Sequence, residues 1–288
     1  MIRLGIIGFG SISTTLLTLL KDVLEEPLEH LTIVCKPEYE SQVNQVMRED
    51  FNGVALENSI TSNTETLINN KPNLIVECAG HEAVTEHIAQ VLSAGFDTVV
   101  ASVGALTDAA LADSLYYAAH KGMSRLIIPA GAIGGVDLLA SLKKHGKLDV
   151  SYRGIKPPAA WSGTLAANLM DLDHLSEETV IFSGSAREAA SNYPKNANVA
   201  ATIALAGAGF EATQTELVAD PKATGNIHEY RVDCPLAHYT FRAESQPSSG
   251  NAKTSVTTVY SIMREITNRI GPIAVSYTHL TLPTICSV

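Results

Sequence analysis

The chain has 288 residues, 30 acidic against 20 basic side chains, a formal charge of −10 and a pI near 5.3. Hydrophobic residues make up 45% and charged residues 17%, which excludes wholesale disorder, and no apolar run reaches the ~18 residues needed to span a bilayer. No Lys/Arg cluster breaks the acidic balance, so nucleic acid and anionic membrane are excluded as expected partners, while a small anionic substrate needs only local positive potential.

Ile2 to Ile7 is a short apolar run closed by Gly8-Phe9-Gly10, a buried strand rather than a signal peptide. Ile12, Leu16, Leu19, Leu20 and Val23 then mark one face of a helix that Pro27 stops, and Leu31–Cys35 is a second strand. The alternation continues. Helices at Tyr39–Glu49, Glu65–Asn69, His81–Ala94 and Asp108–Lys121 precede strands at Gly53–Leu56, Asn73–Glu77, Asp97–Ala101 and Arg125–Ile128. Strands alternating with helices predict a Rossmann-like, doubly wound parallel sheet.

The rhythm changes after Ile133. A helix at Gly135–His145, a strand at Asp149–Ile155 and a proline-containing stretch at Lys156–Trp161 come first. Strands at Val180–Ser183, Gln214–Ala219, Ile227–Val232 and Tyr239–Ala243 follow, with a helix at Asn196–Ala208 among them. This predicts a second α+β domain with a mixed or antiparallel sheet. The expected division is 1–133 for dinucleotide binding, 134–251 for substrate and catalysis, and 252–275 as a helix (Ala252–Arg269) and strand (Pro272–Val275) returning to the first domain. Residues 276–288 carry no charge and no period, and read as a vector-derived tail. The four cysteines form no CxxC pair, so reduced cytoplasmic thiols are expected and no metal site.

Gly8-Phe9-Gly10-Ser11-Ile12-Ser13 is a GxGxxS variant of the dinucleotide fingerprint. Gly8 permits the tight turn, Gly10 lets pyrophosphate approach the N–H groups of Ser11 and Ile12, and Ser13 stands for the third glycine. The second strand ends Cys35-Lys36-Pro37, without the acid that grips the ribose of NAD; Lys36 either meets a 2′-phosphate or is a solvated surface lysine. Gly80, after Glu77-Cys78-Ala79, lets a cofactor lie on the sheet edge, while His81 is either a helix-start residue or a neighbour of the nicotinamide. Ser102–Ala105 and Pro129–Gly135 end two further strands in small residues, better explained by backbone approach to a ligand than by core packing. Asn196 or Asn198 is expected to cap the following helix. Of the nine histidines, His30, His120 and His145 lie near predicted helix ends; His228 stands on a strand, where structural and catalytic roles are both open.

Taken in order, Gly131–Asp137, Lys156–Trp161, Gly184–Ala190, Pro194–Ala201 and Asn226–Glu229 join the fingerprint in a pattern that closely resembles the L-aspartate dehydrogenase family over residues 1–275. The resemblance implies oxidation of L-aspartate by NAD or NADP to iminoaspartate, which yields oxaloacetate and ammonia or feeds NAD biosynthesis. It places the active-site histidine on His228 and the cofactor contacts on Ala132 and Asn198, with Asn198 and His228 also meeting substrate. A base titrating near histidine's usual ~6.5 suits the removal of a proton from the substrate ammonium. A cytoplasmic homodimer is expected. The rival readings are a homoserine-dehydrogenase-like or dihydrodipicolinate-reductase-like enzyme, and a non-catalytic dinucleotide sensor.

Loss of the ribose-gripping acid removes a penalty against NADP, and an exposed Lys36 adds only ~0.2–1 kcal/mol, less than the ~1.4 kcal/mol of a tenfold preference. The expected outcome is use of both cofactors with a modest lean toward NADP, and a shift toward NAD in Lys36→Asp. Measuring kcat/KM for both cofactors in both proteins checks it; strong NAD selectivity in the wild type contradicts it.

Overall fold

Short aliphatic runs ending in small residues build the first sheet, and longer alternating runs build the second. The computed structural model describes residues 2–270 apart from 195, 246, 249 and 250. The first half runs β1 (Arg3–Ile7), α1 (Ser11–Val23), β2 (Leu28–Val34), α2 (Glu40–Glu49), β3 (Ala55–Thr61), α3 (Thr64–Asn69) and β4 (Leu74–Glu77). A helical stretch follows, from α4 (His81–Ala83) through a π turn (Val84–Ile88) into α5 (Ala89–Ser93), then β5 (Thr98–Val100), α6 (Ala109–Gly122) and β6 (Leu126–Ile127). The six strands are all parallel, in the order β3-β2-β1-β4-β5-β6. That order reverses direction between β1 and β4, which opens a crevice at the carboxyl edge of the sheet.

Alternate strand residues feed opposite layers, as the two-residue period of a strand requires. Leu4, Ile6, Leu31, Ile33, Leu74, Val76 and Val99 join one core, with Leu16 and Leu20 of α1 and Met47 of α2. Ile7, Ile75 and Val100 join the other, with Leu67, Val91, Leu92 and Leu115.

The second half runs α7 (Val136–Leu142), β7 (Asp149–Lys156), α8 (Ala166–Leu169), β8 (Thr179–Ser185), α9 (Ala186–Asn192), α10 (Asn198–Ala206), β9 (Gln214–Ala219), β10 (Asn226–Cys234) and β11 (Ala237–Ser245). A short hairpin, β12 (Pro247–Ser248) and β13 (Asn251–Ser255), leads to α11 (Val256–Ile270). The second sheet has the order β11-β10-β7-β9-β8; β7 and β9 are parallel and the other pairs antiparallel, so it is mixed. Its core holds Trp161, whose indole N–H donates to the Val218 carbonyl at 3.1 Å. Helix α11 returns to the first sheet, where Val259, Ile262, Met263 and Ile266 are buried with α1. Arg269 at its end joins Arg125 on the Asp97 carboxylate; burial works to raise the Asp97 pKa, but the two guanidinium groups hold it below its usual value.

Several expectations need correction. His30 is inside β2, not at a helix end, because that strand begins straight after Pro27; its Nε2 lies 2.9 Å from Ser59 Oγ. The last helix begins at Val256 rather than Ala252, because Asn251–Ser255 is drawn into strand β13 by antiparallel pairing with β12. Helix α9 has no counterpart in the expected elements, although its signal is present: Ser185 Oγ accepts from the Glu188 N–H, and the Glu188 carboxylate accepts from the Ser185 N–H. The expected strand Pro272–Val275 and the tail 276–288 lie outside the described residues.

The carboxyl edge of the first sheet is organised by Glu77, fully buried at the end of β4. Oε1 accepts from the N–H groups of Ala79 and Gly80, both at 2.8 Å, and from Ser102 Oγ at 2.9 Å, while Oε2 accepts from the Ser102 N–H at 3.0 Å. Burial pushes this carboxyl's pKa up, and the four donors pull against it. A neutral amide in its place would turn an N–H₂ group toward donors. Each buried group left unpaired costs ~1–3 kcal/mol. Glu77→Gln is therefore expected to lower Tm by roughly 5–10 °C, at ~2–4 °C per kcal/mol for a chain of this size. Thermal unfolding followed by circular dichroism checks this; an unchanged Tm contradicts it.

Candidate active site

The turn between β1 and α1 is built by two glycines with different reasons to be glycine. Gly8 has φ of +104°, and a Cβ there would lie 2.6 Å from the Ala79 Cβ, so the protein itself demands it. Gly10 has extended backbone, and a Cβ there would meet nothing within 4 Å. The space beside Gly10 is open, and no side chain caps α1 there. Ser13 Oγ instead accepts from the Gly10 N–H at 2.7 Å, so the serine in place of the third glycine closes the turn. The first turn of α1 holds no acidic residue. An uncapped helix start with open space before it fits a pyrophosphate. Gly80 continues the same edge, with φ of +146° and open space beyond its Cα. Lys36 follows β2 at the neighbouring strand end, exposed, with Nζ 3.6 Å from a Glu82 carboxylate oxygen.

The other side of the crevice is the second sheet. His228 on β10 pairs with Gly154 on β7, and Tyr152 lies two residues back on the same face of β7. A Cβ at Gly154 would lie 2.6 Å from Tyr152 Oη, so glycine here lets the phenol pass over the strand. That hydroxyl reaches His228 Nδ1 at 2.8 Å, and the two rings stack at 14°. Lys156, two residues further on that face, is 3% exposed; its Nζ donates to Asn196 Oδ1 at 3.1 Å and lies 5.8 Å from the Trp161 ring centre. Burial, and then the Lys156 charge, push the His228 pKa down to about 3. The expectation of a base near its ordinary pKa is thus corrected: His228 is a neutral imidazole, its pKa held well below neutrality.

A cleft of about 600 Å³ joins the two sides. It brings together Ile12, Ala132, Asn198 and His228, which the sequence singled out, with Lys156 and Asn196, to which the sequence reading assigned no ligand contact. Gly8, Gly10, Ser11, Lys36 and Gly80 lie along the sheet edge outside its lining. Neither asparagine caps α10, because both side chains turn elsewhere. Asn198 Oδ1 accepts from the Gly104 N–H at 2.9 Å, and Asn196 binds Lys156. The small residues at two strand ends also divide. Gly104 is required by packing, since a Cβ there would lie 2.8 Å from His81 Nε2 and 2.9 Å from Asn198 Oδ1. Gly134 and Gly135 are likewise crowded by Phe241 and Tyr230, whereas Gly131 faces open space and lines the cleft. His81 is half-buried against Asn198; burial lowers its pKa and the Asn198 hydrogen bond opposes this.

Residues 8–129 match the family model described as homoserine dehydrogenase, NAD binding domain, and residues 137–269 match aspartate dehydrogenase, C-terminal. The L-aspartate dehydrogenase of Cupriavidus necator is 38% identical over 275 residues, 96% of this chain and all of that protein. The chain belongs to the aspartate dehydrogenase family. The Pseudomonas aeruginosa L-aspartate dehydrogenase is 43% identical over 205 residues, 71% of this chain and 77% of that protein. Among solved structures, the aspartate dehydrogenase of Thermotoga maritima superposes with a TM-score of 0.71 at 28% identity, covering 95% of this chain and 98% of that one.

In this dehydrogenase, open space at Gly10 separates ligand binding from folding. Gly10→Val adds branched carbon where the protein has no atoms, in a backbone conformation valine accepts. It is expected to raise the dissociation constant for NADPH and NADH at least tenfold. Weaker capping of α1, worth about 1 kcal/mol, limits the fall in apo Tm to roughly 2–4 °C. Fluorescence titration beside a melting curve checks both; unchanged affinity means that pyrophosphate does not lie here.

Proposed function

We propose that this enzyme oxidises L-aspartate with a nicotinamide dinucleotide to iminoaspartate, which water converts to oxaloacetate and ammonia. The observation that carries the reading is a neutral imidazole, His228, fixed by Tyr152 beside Ala132 and Asn198 in the cleft between the dinucleotide-type sheet edge and the second sheet. Family membership supports the substrate and the cofactor class. The bound cofactor supplies the chemistry of accepting hydride from the substrate Cα.

The protein's own part is positioning and proton handling. The Cα–H can leave as hydride only when the amine holds a lone pair, so the substrate ammonium must first lose a proton. With the ring hydrogen on Nδ1 donating to Tyr152 Oη, His228 Nε2 presents a lone pair to take it. The same nitrogen then returns a proton as water adds to the imine carbon and ammonia leaves. A bound dicarboxylate offsets the Lys156 charge that disfavours the imidazolium, so the base strengthens when substrate is present. The Gly104–Asn198 hydrogen bond fixes α10 against the sheet edge, which holds the reacting carbon in line.

Preference for NADP over NAD is the finer part of the proposal, supported by Lys36 two residues after β2, although Glu82 shares its charge, and by Cys35-Lys36-Pro37 having no acid directly after the strand. The cytoplasmic setting, the homodimer and a role in NAD biosynthesis rest on the family alone.

Reduced nicotinamide absorbance is expected to rise with L-aspartate and to fall with oxaloacetate plus ammonia. His228→Ala is expected to lower kcat by 10²–10⁴-fold with cofactor affinity retained. A variant with near-wild-type kcat would remove His228 from the chemistry, and no turnover of L-aspartate by the wild type would overturn the reading.

A further inference from the structure

The described residues that line the cleft include no Asp or Glu, in a chain whose formal charge is −10. The lining does include a buried ammonium, Lys156, at the end of β7. Two further polar groups there are buried and have no partner: Asn196 Nδ2 and Ser255 Oγ. Asn196 is held by its other end, since Oδ1 accepts from Lys156 Nζ at 3.1 Å. Its amide N–H₂ thus points away from the lysine with no acceptor, at a residue 4% exposed. Buried donors without acceptors are costly unless a ligand satisfies them. An ammonium, an amide N–H₂ and a hydroxyl make a set of donors suited to an anion with two oxygens.

We propose that Lys156, Asn196 and Ser255 form the seat for a carboxylate of the substrate, and that this seat selects a dicarboxylate amino acid. The inference rests on the proposed oxidation of L-aspartate and names the groups that recognise it. The topology supports the assignment. Lys156 lies two residues beyond Gly154 on the strand face that carries Tyr152, and Gly154 pairs with His228. A carboxylate bound at the strand's end therefore lies one strand repeat from the imidazole, the reach of a four-carbon amino acid. Asn196 lies two residues before Asn198, the first residue of α10, so one turn places the seat and the contact to the cofactor sheet. The recognition is polar and buried, so an analogue without the charge leaves the Asn196 amide and the Ser255 hydroxyl unsatisfied and is rejected strongly.

Two variants and one inert probe test it. Lys156→Met keeps the unbranched apolar stem of the side chain and removes the charged end. Asn196→Asp keeps the shape and puts a carboxylate beside the lysine, in competition with the ligand. Both are expected to raise the KM for L-aspartate at least about 30-fold, the low end of the loss when a buried charge pair is broken. The dissociation constant for NADPH is expected to stay within about threefold. Succinate has two carboxylates and no amine; it should inhibit the wild type competitively against L-aspartate and raise its Tm. Both effects of succinate should weaken in each variant by a factor similar to that in KM. L-Asparagine tells the two substrate carboxylates apart. Loss on L-aspartate alone puts the side-chain carboxylate in the seat, as selection of a dicarboxylate requires, and equal loss on both substrates puts the α-carboxylate there and overturns that selection. Unchanged KM and succinate inhibition in the folded variants overturn the proposal, as does a parallel loss of NADPH affinity. If the wild type fails to oxidise L-aspartate, the succinate melting shift still reports on the seat, so failure of the reaction and failure of the seat are distinguishable.

Discussion

One buried carboxylate sets the geometry from which the active cleft is built. Glu77 gathers backbone donors from two loops, the one leaving β4 and the one leaving β5, and so gives two strand ends a common anchor. From Ser102 the chain turns into a short 3₁₀ helix over Val103–Thr107, and within it the Gly104 N–H reaches Asn198 on α10. A continuous line of hydrogen bonds and short backbone segments thus runs from the middle of the parallel sheet to the helix that borders the second sheet. Anchoring such a line on a buried carboxyl is costly, because burial opposes its charge. Four donors on one carboxylate offset that cost and leave little freedom for the loops they fix.

The electrostatics of the cleft run against those of the molecule. An acidic chain surrounds a cavity whose charged lining residue is a lysine, and burial first, then that lysine, depress the basicity of the nearby histidine. The site therefore holds one positive charge rather than two, which limits the cost of burying charge there. The phenol of Tyr152 complements this. Burial pushes its pKa up, so it stays protonated and serves as a fixed partner for one ring nitrogen.

Much of this was legible beforehand, and the physical reasons are specific. The parallel sheet could be read because aliphatic runs bounded by glycine have few other uses, and the fingerprint glycines lie where a strand meets an amphipathic helix. The mixed sheet was legible as a class, but its order was not, since pairing β7 with both β9 and β10 depends on contacts far apart in the chain. Lys156 was visible only as part of a motif, because a lysine beside two prolines looks like a surface residue until the sheet buries it. The reason for each glycine was hidden as well. Gly104 and Gly131 read alike, yet one accommodates His81 and Asn198 while the other faces the cleft. In the sequence Glu77 reads as a strand end and nothing more, for three of its four donors are backbone N–H groups that no residue type announces.

Helix α11 covers the face of the parallel sheet that α1 leaves incomplete, and Arg269 near its end closes onto Asp97. The strands it covers are finished by Ile127, so everything from α7 to β13 is synthesised before the cover exists. At ribosomal speeds of ~5–20 residues per second, that interval lasts several to tens of seconds. During it, a nascent chain carries a nearly complete nucleotide-type sheet with an apolar flank open to solvent. The order of elements along the chain thus makes the first sheet to be synthesised one of the last to be sealed, and assigns its protection in that interval to whatever shields nascent chains in the cell.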